Sequence, residues 1–215
     1  AHSALIRKLA KRNPILKKYK YDLLSFARLR NSIVHNPQKK LFDPIAEPHD
    51  EVLALYEDLL KEVIEPDLAM SIAVPRDKMH IAFLNDKVLP TMRHMSKNHY
   101  SSVPILNQGD FVGVFSERVM FQLLADMEHI SIEDDMTFQT LEDYLALDQH
   151  DSDTYLFLPK TVSIVELDDL FANAIDGDKR IKAVYLTENG KSSEYILGMV
   201  TAWDLVGIEE VEYLE

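Results

Sequence analysis
The 215 residues are 47% hydrophobic and carry a net charge of −13, which is the composition of a folded acidic protein and not of a disordered chain. No apolar run reaches the roughly 20 residues of a membrane span and no signal peptide is visible, so no membrane contact is expected. The absence of cysteine excludes disulfides and thiolate metal sites and fits a cytoplasmic location.

The charge is unevenly spread. Residues 1–40 hold 11 of the 23 Lys and Arg but only one acid, Asp22, leaving 12 basic residues and 35 acids for the rest. Such a basic arm suits a weak RNA contact, an acidic partner or the acidic body of its own chain. Residues 4–12 read as a short basic helix that stops before Asn13-Pro14. Residues 21–35 read as an amphipathic helix with Leu23, Phe26, Ala27, Ile33 and Val34 on a buried stripe, ended by Asn36-Pro37. A third helix is expected over 49–64, with Val52, Leu55, Tyr56, Leu59, Leu60 and Val63 on one face. Within the second helix, Arg30 and His35 form an Arg-x4-His arrangement. It resembles the motif of HEPN-type helical domains, some of which are ribonucleases. The resemblance implies an acid/base role for His35 and a phosphate contact for Arg30. Only about three helices precede residue 70, so a structural or dimerising role is expected instead, with no catalytic residue.

From Met79 the pattern changes to short strands alternating with helices. Strands are expected at 80–84, 101–106 and 111–115, with helices at 86–97 and 117–125 and a hairpin turn at Asn107-Gln108-Gly109-Asp110. Residues 131–152 read as an acidic connector with one helical turn set around Leu141 to Leu147. The β-α-β-β-α order then repeats at 154–158, 162–174, 181–187, 195–200 and 202–206. Gly198-Met199-Val200-Thr201-Ala202-Trp203-Asp204 lies 85 positions after Gly113-Val114-Phe115-Ser116. Val184-Tyr185-Leu186 follows Val103-Pro104-Ile105 at 81, and Phe157-Leu158 follows Phe83-Leu84 at 74. The offset grows only across loop-like stretches, 175–180 and 188–194, as in a true repeat.

A hydroxyl at a strand-to-helix junction, with an acid three residues on, suits a phosphate at the helix N-terminus and a ribose at the carboxylate. The same Thr201-x-x-Asp204 pattern is also a plain capping box. Two β-α-β-β-α units with these junctions resemble a CBS-domain pair, the Bateman module. The resemblance implies an α+β fold, with two CBS units packed as a pair after an α-helical N-terminal region. The expected boundaries are 1–70 for the helical region, 75–130 and 153–210 for the two modules, and 131–152 for the connector.

The resemblance further implies a regulatory protein binding AMP, ADP, ATP or S-adenosylmethionine as its ligand, with a homodimeric assembly and an effector protein as partner. Thr201 would hold phosphate and Asp204 the ribose. Tyr155, Phe157 and Tyr185 would line the adenine, or belong to the core. The first junction keeps Ser116 but has Val119 in place of the acid, so its site is expected to be weak or differently used. His94, His99 and His129 lack metal-ligand spacing, and the acidic runs read as solvated loops, so no metal is expected.

Overall fold
The computed structural model describes residues 2–34, 47–126, 134–147, 153–175 and 180–206. The chain divides into two units, residues 1–68 with 163–170 and residues 69–162 with 171–215.

The first unit is helical. α1 (His2–Leu9), α2 (Pro14–Lys18), α3 (Lys20–Val34) and α4 (Asp50–Ile64) follow in order. The separate α2 is absent from the sequence reading. Asn13 caps it by accepting the Leu16 N–H at 2.9 Å, and Pro14 stands at the first turn, where its missing donor costs nothing. The Asn13-Pro14 step thus ends one helix and starts the next. Ile6, Leu24 and Ala27 are buried together, and Lys17 Nζ lies 2.6 Å from Asp169 Oδ1. Two expectations need correction. Val34 is exposed, and the single apolar face foreseen on α4 is two stripes. Leu59 is buried with Val52, Leu55 and Val63 half-buried beside it, whereas Leu53, Tyr56, Leu60 and Ile64 are exposed. One residue turns a helix by about 100°, so the two stripes are adjacent and only one can face the rest of a small helical unit.

The second unit has an α+β fold made of two sheets. β2 (Ala82–Phe83), β3 (Ser102–Asn107) and β4 (Asp110–Ser116) form the first, with α5 (Val88–Asn98) and α6 (Glu117–Asp126). β5 (Asp153–Pro159), β6 (Arg180–Thr187) and β7 (Gly198–Val200) form most of the second; in chain order α8 (Ile164–Ile175), whose residues 164–170 count with the first unit, and α9 (Ala202–Leu205) accompany them. In each, the first pair of strands is parallel and the second antiparallel, giving β-α-β-β-α twice. The β3–β4 turn has positive φ at both Gln108 and Gly109, as a two-residue hairpin needs.

Ile105 faces Gly113 as Leu186 faces Gly198, so the offsets of 81 and 85 are preserved in the pairing. The first strands differ. Phe83 pairs with Leu106, but Phe157 pairs with Tyr185, two residues short of the equivalent register. A slip of two keeps every side chain on its face, so the apolar pattern does not reveal it.

Three further features depart from the sequence reading. β1 (Val74–Pro75) precedes the first repeat yet pairs with β7, completing the second sheet in the order β1-β7-β6-β5. The connector is part of the first module's core. Phe138 and Leu141, on a single 3-10 turn, and Leu145 at the end of α7 (Glu142–Leu145) are fully buried among Val103, Ile105, Phe115 and Val119. α7 lies so close to β4 that a Cβ on Gly113 would fall 1.9 Å from the Leu145 carbonyl oxygen, which explains the glycine. Finally, β7 starts at Gly198 and not at Tyr195, because residues 187–194 wind into a loop around the Glu194 carboxylate.

Candidate functional site
At the second junction β7 ends and Thr201 caps the short α9 with extended backbone. Asp204 Oδ2 accepts the Thr201 N–H at 2.7 Å and the Thr201 hydroxyl at 2.8 Å. The two residues singled out for phosphate and ribose are therefore together, and they are bonded to each other. Trp203 between them is 83% exposed.

At the first junction β4 delivers a buried Ser116 to the start of α6. Its hydroxyl accepts the Val119 N–H at 3.3 Å, while the Glu117 N–H donates to the Ser101 carbonyl at 3.2 Å. Val119 itself is a core residue, 1% exposed. A cavity of about 220 Å³ opens here, lined by Ser101, Ser116, Glu117, Arg118, Asp153, Tyr155 and Lys182. Lys182 Nζ lies 4.0 Å from Asp153 Oδ1. The Tyr155 hydroxyl is hydrogen-bonded to the side chains of Ser102 and Ser116, and burial is the main cause that holds its pKa above the ordinary value. Three hydroxyls, two cations and two carboxylates thus converge at the N-terminus of a ten-residue helix, whose free N–H groups and dipole, with Arg118, favour an anion there.

Of the sequence-predicted residues, Ser116 and Tyr155 meet at this cavity. Tyr185 and Phe157 belong instead to an aromatic cluster with Phe111, whose ring centroid is 4.9 Å from that of Phe157 and 5.7 Å from that of Tyr185. Tyr185 is fully buried and its hydroxyl has no hydrogen-bond partner among the described residues. Burial pushes that hydroxyl far above its ordinary pKa. A ring with no accessible face does not stack on a base as it stands, so Tyr185 is a core residue here. Phe157 is half-buried.

Arg118 and Lys182 were not foreseen. Arg118 stands two residues after Ser116, just beyond the first repeat, and Lys182 interrupts the apolar run of β6, which is the signal that marks it. In the helical unit, Arg30 and Asn31 are exposed, and Arg30 Nη1 donates to Asn31 Oδ1 at 3.3 Å. His35 lies outside the described residues. No group of three metal-ligating side chains occurs among the described residues, and no described helix is long and apolar enough to cross a membrane.

No protein-family model matches the chain, and no curated protein matches it. Solved structures do. A functionally unknown conserved protein domain from Neisseria meningitidis MC58 is 15% identical, with a TM-score of 0.45 over 86% of this chain and 99% of its own. The CBS domains of a transcriptional regulator from Streptococcus pneumoniae are 19% identical, with a TM-score of 0.44 over 64% of this chain and 95% of theirs. CBSX2, solved in complex with AMP, is 12% identical, with a TM-score of 0.44 over 65% of this chain and 93% of its own. CBS-domain proteins are thus among the structural neighbours.

Proposed function
We propose that this chain is a regulatory CBS-pair protein that binds an adenine nucleotide, AMP, ADP, ATP or S-adenosylmethionine, and signals to a partner or to its own helical region as a homodimer. The observation that carries this reading is the polar cavity at Ser116. Arg118 and Lys182 supply positive charge, the guanidinium in bidentate form, and Ser101, Ser116 and Tyr155 supply hydroxyls. At about 220 Å³ the cavity is smaller than the 300–1,000 Å³ of sites for drug-sized ligands, so it takes the charged end of a nucleotide and not the whole. The Thr201/Asp204 junction is a second candidate site in this proposal. Asp204 would exchange its bonds to Thr201 for bonds to ribose hydroxyls.

A thermal-shift screen with the named nucleotides, S-adenosylmethionine and cyclic dinucleotides tests the proposal. A ligand at 100 times its Kd adds about 2.7 kcal/mol of stability. Lys182→Met and Arg118→Met should each weaken binding by about 1.5–3 kcal/mol, the worth of a hydrogen bond to a charged group. Binding kept in those variants and lost in Asp204→Ala would move the site to the second junction. No stabilisation by any ligand would favour an adaptor without ligand.

A further inference from the structure
α4 is apolar over more than one face. Leu59 points into the helical unit, while Leu53, Tyr56, Leu60 and Ile64 leave 45, 42, 45 and 65% of their surface exposed. These four follow at steps of three, four and four, which is the seam of a helix pair. The seam begins at a groove of about 670 Å³ between α3 and α4, lined by Leu23, Phe26, Ile33, Val52, Leu53 and Tyr56, among others. We infer that this seam docks onto a second copy of the chain, the two α4 helices lying antiparallel about a two-fold axis near residues 58 and 59. The inference rests on the homodimer of the proposed function and specifies its contact.

Two features select that partner and that direction. The first is charge. Glu57 and Lys61 lie on one edge of the seam, and neither makes an ion pair among the described residues. A two-fold axis across antiparallel helices sets like edges together in opposite order. With its centre near residue 58.5, Glu57 of one copy comes within about 1.5 Å, along the axis, of Lys61 of the other, twice over. A parallel pair would turn that edge against the partner's Tyr56 edge and match no charges. The second feature is shape. The same axis brings Ile64, the most exposed side chain of the seam, opposite Leu53 at the mouth of the groove. Each copy then gives one knob and receives one. A small apolar ligand would fill the groove but leave Leu60 and Ile64 in water. An anionic bilayer is disfavoured by Asp50, Glu57 and Asp58 on this helix.

Sedimentation equilibrium of the full chain at tens of micromolar tests the inference, with circular dichroism on every variant to separate lost association from lost fold. A dimer is expected. Leu60→Glu and Ile64→Glu should each weaken it by about tenfold or more, because each buries an unpaired charge. Lys61→Glu should weaken it too, and adding Glu57→Lys to Lys61→Glu should restore it. Because the chain has no cysteine, the direction is tested by oxidation. Leu53→Cys with Ile64→Cys should give a disulfide-linked dimer, and Ile64→Cys alone should not. A wild-type chain that stays monomeric would overturn both the homodimer and the seam. A dimer indifferent to every α4 variant would overturn the seam and leave the homodimer standing. A linked dimer from Ile64→Cys alone would overturn the antiparallel register.

Discussion

Among the described glycines, Gly113 should be the one least able to accept alanine. The added Cβ would lie 1.9 Å from the Leu145 carbonyl oxygen and 2.4 Å from its carbonyl carbon, where real Cβ atoms stay beyond 3.0 Å. Both are backbone atoms, so no rotamer change relieves the clash. Either β4 or α7 must move by more than about 1 Å, and interiors packed to crystal density do not absorb that. The cheaper movement lifts α7, which leads out Leu145 and disturbs Leu141 and Phe138, all fully buried. A buried leucine or phenylalanine is worth about 1.5–3 kcal/mol of transfer free energy. Partial loss across the three gives about 3–5 kcal/mol, a large share of a typical total of about 5–15 kcal/mol. Gly109→Ala is the control. Nothing lies within 4 Å of its Cβ, and only its φ of +105° opposes a side chain. Its cost should be about 1–3 kcal/mol from backbone strain alone. Urea unfolding followed by circular dichroism measures both. A Gly113→Ala midpoint equal to that of the wild type would refute the packing of α7 on β4.

Other outcomes follow from single groups. His80 Nε2 is buried without a hydrogen-bond partner among the described residues, and burial, then the stacked His94 ring 3.9 Å away, hold its pKa below 6.5, with Asp86 opposing. The unfolded chain therefore takes up that proton more readily, so the contribution is complete above about pH 6.5 and is lost as pH falls below it. Thermal unfolding at pH 7.5 and 5.5 should show a fall that His80→Phe reduces; an equal fall in the variant would refute the assignment. Glu194 is held at about 2, first by the Asn189 side chain and then by its N–H, with Thr187 and Lys191 adding bonds. Its contribution is complete above about pH 4.5 and is lost as pH falls toward 2. Hydrogen exchange at the Asn189 and Lys191 amides should quicken in Glu194→Gln, and unchanged protection would sink the idea that this carboxylate organises the loop. Mixed RNA incubated with the chain should stay intact; cleavage abolished by His35→Ala would make the helical unit a nuclease.

The repeated β-α-β-β-α order was legible because each strand is a short apolar run set off by turn residues, and because pairing across β3–β4 and β6–β7 keeps the offsets that the sequence displays. What was missed has physical reasons. Val74-Pro75 is too short to carry a period, yet two residues suffice to pair with β7. Phe138, Leu141 and Leu145 are spaced as a helical face, but the surrounding acids disguised them as a solvated connector. On α4, two adjacent apolar stripes merge into one broad face when only the sequence is read.

The site was half legible, and the reason lies in what an acid does three residues after a helix-capping hydroxyl. Ser163-x-x-Glu166 has the same pattern as Thr201-x-x-Asp204 at a helix start that the sequence reading never marked as a site. Glu166 Oε2 accepts the Ser163 N–H at 2.9 Å and its hydroxyl at 2.8 Å. Asp204 accepts the same two groups of Thr201 at 2.7 and 2.8 Å. The pattern thus encodes a closed box, in which the carboxylate satisfies the cap and the cap satisfies the carboxylate. Ser116-x-x-Val119 lacks the acid, and that is where the cavity lies. Valine turns inward to the core, so position 119 supplies no carboxylate to close a box on Ser116. In the proposed function, the departure that made the first junction look weaker is the one that leaves room for an anion beside Arg118 and Lys182. Affinity for a nucleotide's charged end should accordingly follow Arg118 and Lys182 more closely than Asp204.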